Sequence, residues 1–357
     1  MGSRKLNCPY CHGQFMGTPG STTYRCRSCG QLILVAATSE GDAVPPGTLR
    51  LNREIWKWSK GSPSASTLPK PEEKPVPGPK TGQHHHTKRA VLCGVTYPKR
   101  NNKLKGTIND VNRMKSLLVD CFQFPEAAIR VLTEGNDPNF VPTKCNIQRS
   151  LEWLVDGCKA GDSLVFFFSG HGLRQVDLSG DEHDGYDETI APSDFVTAGL
   201  IVDDDINDTI VKPLKKGVTL HAIVDACHSG TILDLEHVYN HRDKKWIDNK
   251  ALSGAKKGTD GGLAISLSAC ADDQMATDTN ALSGNEMSGA MTYILDQAIR
   301  GKPTITYGEL LRDMQRKTQH ANRTRSWLRK LFGNKILQDC QLSSSQVFNV
   351  DEKKIQL

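Results

Sequence analysis

One segment decides the fold of this chain: TLHAIVDACHSG, at residues 219–230. Its apolar first half, residues 219–224, is typical of a buried strand in a parallel sheet, and it stops abruptly at Asp225. The continuation is small, polar and glycine-ended, which suits a turn at the carboxyl end of that strand. Because ligands and catalytic groups gather at the carboxyl ends of strands in open α/β sheets, Cys227 stands where a nucleophile would be useful.

A second segment, upstream of the first, has the same design. Residues 164–168 are Leu-Val-Phe-Phe-Phe, and the polar run Ser-Gly-His-Gly follows at 169–172. If the two strands are neighbours in the sheet, His171 can act as the base that activates the thiol of Cys227, giving a thiolate–imidazolium couple. We therefore predict that His171 and Cys227 form a catalytic pair.

The residues beside this pair complete the predicted site. Side chains alternate in an extended chain, so Ser169 lies on the side of His171 and Asp225 on the side of Cys227. The amide N–H groups of Gly172 and Cys227 are suitable oxyanion donors, because glycine lets a carbonyl group approach the backbone closely. The predicted site thus combines a base, a nucleophile, a hydroxyl group, a carboxylate and oxyanion donors.

Strands and helices alternate along residues 88–357. The apolar residues Val111, Met114, Leu117 and Leu118 share one face of a predicted helix. Further helices are predicted at 143–158, 289–300 and 307–319, and strands at 89–96, 129–132, 164–168, 218–224, 262–268 and 346–350. This alternation predicts an α/β domain with a mostly parallel sheet flanked by helices.

Two CxxC pairs mark residues 1–37. They are Cys8 with Cys11 and Cys26 with Cys29, and four thiolates at this spacing can hold one tetrahedral Zn²⁺ ion. Because this segment has too little apolar sequence to fold alone, the metal would supply most of its stability. We predict a structural zinc finger; the alternative is a set of free thiols in a disordered tail.

Residues 38–87 are predicted to be a disordered Pro-rich linker, since such a composition cannot bury enough surface to fold. The chain has a formal net charge of +5, and residues 1–90 carry 13 Lys/Arg against 5 Asp/Glu, so the remainder is slightly acidic. This distribution argues against nucleic acid as a partner of the α/β domain. The sequence shows no signal peptide and no apolar run long enough to span a bilayer, which favours a cytoplasmic location, with the nucleus left open.

The motifs of the α/β domain together resemble those of the metacaspases. The resemblance is carried by Ser-Gly-His-Gly at 169–172 and Asp-Ala-Cys-His-Ser-Gly at 225–230, with further matching segments at 104–106, 109–110, 201–205, 268–274 and 289–293. The CxxC module resembles the small zinc finger of plant cell-death regulators of the lesions-simulating-disease type. A zinc finger and a Pro-rich linker before the catalytic domain are similar to the organisation of plant type I metacaspases.

This resemblance implies a caspase-like three-layer sandwich and a cysteine endopeptidase that cleaves after Arg or Lys. It places Asp110, Ser169 and Asp225 in the substrate pocket. A buried carboxylate pair is best neutralised by a guanidinium or ammonium group, which gives a physical reason for the basic preference.

A basic connector at 237–261 separates the large part of the catalytic domain, 88–236, from the small part, 262–357. An enzyme that prefers Arg or Lys could cut this connector, so we expect a zymogen that processes itself. Cleavage at Lys80, Lys88 or Arg89 could likewise release the N-terminal segment. The alternative is an ordinary solvated loop.

Asp187, Asp203 and Asp204 form a second acidic group. Three hard oxygen donors from two loops suit Ca²⁺ better than Zn²⁺, and the three residues match the calcium ligands of calcium-activated metacaspases. We expect Ca²⁺ to activate the enzyme by ordering the loops around the substrate cleft. The alternative is a solvated acidic loop.

These expectations define a regulated protease. Its partners would be protein or peptide substrates with Arg or Lys at the cleaved bond and a protein regulator bound through the zinc finger, with no nucleic acid and no membrane span. The resemblance implies a monomer and a role in regulated proteolysis such as plant programmed cell death or stress response. The alternative is a zinc-finger scaffold or regulator of cell death with a largely quiescent protease domain, against which the intact Cys–His pair argues.

Overall fold

The computed structural model describes residues 87–357 apart from 99–102, 136, 178–181, 183–184, 227–228, 252–253, 255, 270–277, 280–287 and 325–339, together with four short strands within residues 1–86. The predicted zinc ligands Cys8, Cys11, Cys26 and Cys29, the linker before Thr87 and the predicted nucleophile Cys227 lie outside the described residues. The chain divides into two compact units, Met1–His84 and His85–Leu357.

The N-terminal unit contains two antiparallel strand pairs. Strand β1 (Arg4–Asn7) pairs with β2 (Gln14–Gly17), and β3 (Thr23–Arg25) pairs with β4 (Leu32–Leu34). Along the chain, the first CxxC pair falls between β1 and β2 and the second between β3 and β4. Each cysteine pair therefore belongs to a segment that links two paired strands.

The larger unit alternates strands and helices, as its sequence predicts. Its helices are α1 (Thr107–Phe122), α2 (Lys144–Val155), α3 (Phe195–Ala198), α4 (Asp203–Ile206), α5 (Ala290–Gly301) and α6 (Tyr307–Thr324). Its strands are β5 (Lys88–Gly94), β6 (Ile129–Leu132), β7 (Ser163–Ser169), β8 (Gly172–Val176), β9 (Tyr186–Ile190), β10 (Ile201–Val202), β11 (Thr219–Asp225), β12 (His237–Asn240), β13 (Lys245–Asp248), β14 (Leu263–Ser268), β15 (Asp278–Thr279), β16 (Ser288–Gly289) and β17 (Gln341–Ser344).

Eight strands form one sheet in the order β13-β12-β17-β14-β11-β7-β5-β6. Neighbours from β14 to β6 are parallel, whereas β12, β13 and β17 add an antiparallel edge. A smaller sheet of β10, β9 and β8 follows β7 in the chain. The large, mostly parallel sheet is consistent with the caspase-like fold that the sequence resemblance implies.

Helices cover both faces of the large sheet. Alternate residues of the strands point into one apolar cluster with α1, α5 and α6; they include Ala90, Leu92, Val165, Phe167, Ile223, Ile265 and Leu267. Helix α2 packs against β5 and β7, and its buried residues Ile147, Leu151 and Leu154 are not part of that cluster, so it covers the opposite face. Among the described helices, none is long and apolar enough to cross a membrane.

One sequence prediction about the small part is wrong, and the connector before it contains strands that the sequence did not predict. The closing strand is Gln341–Ser344 rather than 346–350, and Val347 is exposed. The connector at 237–261, for which an ordinary solvated loop was the alternative, begins with the hairpin β12–β13, which extends the large sheet beyond β17.

Lys88 and Arg89 also differ from their prediction as cleavage sites. Both lie in β5, where the Lys88 ammonium donates to the carbonyl groups of Phe122 and Leu357 and the Arg89 guanidinium to that of Trp153. A protease needs an extended, accessible segment, and these two residues are held within the sheet.

Candidate active site

The carboxyl ends of three neighbouring parallel strands meet at one edge of the large sheet. Strands β7 and β11 pair with Ser169 opposite Asp225, and β5 pairs with β7 with Gly94 opposite Ser169. The expectation that the two predicted catalytic segments follow neighbouring strands is therefore confirmed. Along the chain, His171 comes two residues after Ser169, and Cys227, outside the described residues, comes two residues after Asp225.

Backbone hydrogen bonds hold His171 from both sides. Its N–H group donates to the phenol oxygen of Tyr97 at 2.9 Å, and its carbonyl group accepts from the N–H of Ala191 at 3.0 Å. The imidazole ring stacks on the Tyr97 ring, with ring centroids 4.5 Å apart and 27° between the planes. The candidate base therefore has a defined backbone position and a defined ring neighbour.

The two glycines beside His171 are both buried. At Gly170, a Cβ atom would lie 2.7 Å from Cζ of Phe168 and 3.1 Å from the Tyr97 phenol oxygen, so a side chain would displace the Phe168 ring and crowd the Tyr97 hydroxyl. Gly172, the predicted oxyanion donor, is buried and opens β8, opposite Ile190 of β9.

Asp110 lies in the first turn of α1 and is 1% exposed. Its carboxylate accepts a hydrogen bond of 2.9 Å from the Ser169 hydroxyl and bonds of 2.9 and 3.0 Å from the N–H of Gly289. A negative charge is favourable at this end of a helix. The structure thus brings together Asp110 and Ser169, which the sequence assigns to one pocket.

Asp225, the last residue of β11, is also buried. Its carboxylate accepts from the Thr292 N–H at 2.9 Å and from the Thr292 hydroxyl at 2.7 Å. Because Gly289, the N-cap of α5, offers no side chain of its own, Asp225 caps that helix from outside. A Cβ atom at Gly289 would collide with this carboxylate, which explains the glycine. The sequence did not reveal that the buried carboxylates of Asp110 and Asp225 both anchor the segment Gly289–Thr292.

The three predicted calcium ligands lie in β9 and at the start of α4. Asp187 accepts from the Gln175 amide at 2.9 Å, and Asp203, 1% exposed, accepts from the backbone N–H groups of Glu188 at 2.9 Å and Asp204 at 3.0 Å. Burial, together with the charges of Glu188 and other nearby carboxylates, raises the pKa of Asp203 well above its usual range.

The carboxylate oxygens of these residues suit a hard cation, but their side chains are not arranged as a ready-made metal site. Within the described ranges, no group of three or more His, Cys, Asp or Glu side chains is arranged so that it could hold a metal ion. The donors are nevertheless all oxygen atoms, and repulsion among buried carboxylates is what a divalent cation would relieve. A calcium ion would therefore need Asp187, Asp203 and Asp204 to move closer together.

A buried lysine lies beside this acidic group. Lys257, 1% exposed, pairs with Glu182 at 2.7 Å and with Asp234 at 2.5 Å. Burial acts to lower the pKa of Lys257, but the charges of Asp234 and Glu182 outweigh burial and raise it. Lys257 belongs to the basic connector, but because its ammonium group is buried in these ion pairs it is not an accessible cleavage site. The basic residues at the hairpin turn are exposed; they are Arg242, Lys244 and Lys245.

The fold and its site define an α/β protein with polar groups at the carboxyl ends of adjacent parallel strands, a design common among enzymes. Residues 88–236 match the family described as metacaspase, peptidase C14 domain. Metacaspase-1 of Arabidopsis thaliana is 44% identical over 315 residues, covering 87% of this chain and 81% of the relative. Metacaspase-2 of the same plant is 52% identical over 240 residues (66% and 57%), and Metacaspase-1A of Neurospora crassa is 34% identical over 306 residues (74% and 64%).

The chain belongs to the metacaspase family. It is accordingly a cysteine-type endopeptidase that acts on protein substrates.

Proposed function

We propose that this chain is a type I metacaspase that cleaves after Arg or Lys, with Cys227 as the nucleophile and His171 as the general base and acid. The observation that carries the proposal is the register of β7 and β11, which aligns Ser169 with Asp225 at one sheet edge. His171 and Cys227 each follow these two residues by two positions in the sequence, which supports their pairing. The buried carboxylates of Asp110 and Asp225, at the same edge, support a pocket for a basic side chain.

The mechanism follows from these roles. His171 takes the proton of the Cys227 thiol, and the thiolate attacks the carbonyl carbon of the Arg or Lys residue that precedes the scissile bond. The amide N–H groups of Gly172 and Cys227 stabilise the oxyanion of the tetrahedral intermediate. His171 then gives its proton to the leaving amine, and the acyl-enzyme thioester remains.

Water completes the cycle. His171 removes a proton from water, the hydroxide attacks the thioester carbon, and the second tetrahedral intermediate expels the Cys227 thiolate. The new carboxyl product leaves and the enzyme returns to its starting state. General acid–base catalysis of this kind contributes roughly 10²- to 10⁴-fold to the rate, so His171→Ala should lose about that factor.

We further propose two metal sites. Zn²⁺ would be held by Cys8, Cys11, Cys26 and Cys29 and would stabilise the N-terminal unit, as the position of each CxxC between paired strands supports. Ca²⁺ would be held by Asp187, Asp203 and Asp204 and would act as an activator; the burial of the carboxylates of Asp187 and Asp203 supports a cation there. Autoprocessing would use the exposed hairpin turn at Arg242–Lys245, and regulated proteolysis in cell death or stress is the proposed context.

One experiment tests the catalytic assignment. The full chain and its Cys227→Ala variant are incubated with two peptides that differ only in Arg or Ala before the scissile bond, and mass spectrometry follows peptide and protein fragments. Wild-type protein should cleave the Arg peptide alone, and Cys227→Ala should cleave neither. The control Cys145→Ala, which removes an exposed thiol on α2, should keep wild-type activity. Equal activity of Cys227→Ala and wild type would disprove the assignment.

A separate experiment tests the calcium proposal. A chelator should lower the cleavage rate, and calorimetric titration of Ca²⁺ into Cys227→Ala should show binding that is lost in Cys227→Ala/Asp203→Ala. The matched control is Asp208→Ala, an exposed carboxylate just after α4, which should bind normally. Unchanged rates in chelator together with unchanged binding in the Asp203 variant would overturn this proposal and leave the catalytic assignment intact.

A further inference from the structure

Tyr97 is a buried residue that the catalytic scheme does not use. It follows β5 by three residues, is 2% exposed, and contacts His171 twice, through its phenol oxygen and through its ring. The phenol also donates a hydrogen bond of 2.6 Å to the carbonyl of Ala191. Since Ala191 in turn donates its N–H to the His171 carbonyl, the three residues form a closed set of hydrogen bonds.

The backbone at Tyr97 is held in an uncommon conformation. Its φ is +52°, in the left-handed region that a bulky residue rarely adopts and that costs on the order of 1 kcal/mol or more. The Glu134 carboxylate accepts hydrogen bonds from the N–H groups of Thr96 at 2.9 Å and Tyr97 at 3.0 Å, which stabilises this turn. The strained turn directs the phenol toward His171.

The Tyr97 ring is in contact with aromatic neighbours on two sides. Phe195 meets it edge-on with centroids 6.1 Å apart, the imidazole of His171 stacks on it, and Gly170 leaves space for the phenol oxygen.

We propose that Tyr97 is a positioning residue for His171, fixing the backbone of the base by hydrogen bonding and the orientation of its imidazole by ring stacking. This inference rests on the proposed role of His171. Tyr97 does not touch the reacting atoms in this scheme, and its effect reaches the reaction through the histidine alone. Loss of the phenol would also remove the acceptor of the His171 N–H and the donor to the Ala191 carbonyl, and loss of a partner costs a buried polar group about 1–3 kcal/mol.

The test uses Tyr97→Leu, which removes the ring, and Tyr97→Phe, which removes only the hydroxyl group. Two quantities are measured on the full chain: kcat and KM for the Arg peptide, and the rate of iodoacetamide alkylation of Cys227 at neutral pH, followed by mass spectrometry of its peptide. Tyr97→Leu should lower both kcat and the alkylation rate about tenfold or more, within the range of base catalysis, with KM within about twofold. Tyr97→Phe should lie between Tyr97→Leu and wild type.

Phe195→Leu is the packing control, because Phe195 contacts Tyr97 without carrying any of the contacts between Tyr97 and His171. It should lower kcat and the alkylation rate much less than Tyr97→Leu does, because the hydrogen bond and the ring stack between Tyr97 and His171 remain. Equal losses in Phe195→Leu and Tyr97→Leu would overturn the proposal, since a general packing defect would then account for both. If Tyr97→Leu does not fold, Tyr97→Phe decides, and wild-type kcat and alkylation in that variant would also overturn it.

A double-mutant cycle separates this proposal from the proposed function. In the His171→Ala background, Tyr97→Leu should change the residual alkylation rate no further, because its effect passes through the missing imidazole. A further tenfold loss there would overturn positioning. Full activity of His171→Ala would overturn the assignment of the base itself, whereas an inactive His171→Ala beside a fully active Tyr97→Leu would overturn positioning only.

Discussion

Asp225 has two positions of interest in the structure: it lies before the predicted nucleophile, and it contacts the start of helix α5. It follows the strand that leads to Cys227, and it caps α5 through the N–H and hydroxyl of Thr292. If it also pairs with the basic side chain of a substrate, one carboxylate links substrate choice to the attachment of the small part. The two roles can be separated because the substrate contact needs the charge, whereas the cap needs only an acceptor.

We predict that Asp225→Asn lowers kcat/KM for the Arg peptide by about 10²-fold, since a hydrogen bond to a charged group contributes roughly 1.5–3 kcal/mol. The matched variant Thr292→Val removes a donor to Asp225 and keeps the carboxylate. It should lower stability by about 1 kcal/mol in urea unfolding and keep the preference for Arg over Ala. A full preference for Arg in Asp225→Asn would exclude Asp225 from the substrate pocket.

The sequence indicated the residues proposed for the substrate pocket but not the residue that contacts the predicted base, Tyr97. Strand alternation predicted the positions of Ser169 and Asp225, the metacaspase resemblance added Asp110, and the structure joins Asp110 with Ser169. Tyr97 was missed because its contact with His171 depends on a left-handed turn and on the pairing of β5 with β7. Local sequence carries no signal for either.

Strand β11 and helix α6 are joined by one buried polar pair. His221 lies 2.6 Å from the Tyr307 hydroxyl, and both residues belong to the interior, at 3% and 0% exposed. Desolvation lowers the pKa of His221 from 6.5 to about 3, with a smaller effect of Lys353, so protonation is unfavourable in the folded state. Above pH 6.5 the histidine is neutral in both folded and unfolded states, and its contribution to stability is fully present.

That contribution is lost as the pH falls from the unfolded-state value toward the folded-state value near 3. We predict that, between neutral pH and about pH 5, wild type loses about 2 kcal/mol more free energy of unfolding than His221→Gln does. Urea unfolding at both pH values measures the difference. Tyr307→Phe keeps the titrating ring and should keep the wild-type pH dependence. Parallel losses in wild type and His221→Gln would show that His221 does not contribute.

The elements that sequence reading misplaced are those whose pairing is decided by distant strands. Strand β17 has the sequence Gln-Leu-Ser-Ser, and its serines Ser343 and Ser344 are fully buried between β12 and β14. The β-branched and aromatic segment at 346–350 has the higher intrinsic preference, yet burial and pairing decide strand formation. The hairpin β12–β13 was missed because its charges resemble a solvated loop, although charged side chains are common on edge strands.

The sheet as a whole ends at β13 on one side, and this edge bears on the oligomeric state. Without the hairpin, β17 would present an unpaired strand, and an open edge is a template for pairing with a second chain. Trp246 anchors the hairpin: its indole N–H donates to the Phe348 carbonyl at 2.8 Å, and its ring packs 5.0 Å from that of Phe348. The charged residues Lys245 and Asp248 at the ends of β13 oppose further strand addition.

We therefore predict that the full chain of the Cys227→Ala variant, which removes self-cleavage, is a monomer in analytical ultracentrifugation. Trp246→Ala in that background should weaken the hairpin by about 2–3 kcal/mol and produce concentration-dependent dimers or larger species, because β17 becomes accessible. Ile247→Ala is the matched control, since Ile247 lies next in β13, is 44% exposed and lacks the contacts of Trp246 with Phe348. It should remain a monomer. If Trp246→Ala is folded and monomeric at every concentration, the anchoring of the hairpin does not protect the sheet edge. If Ile247→Ala forms dimers, the association arises from the surface of β13 and not from an exposed β17.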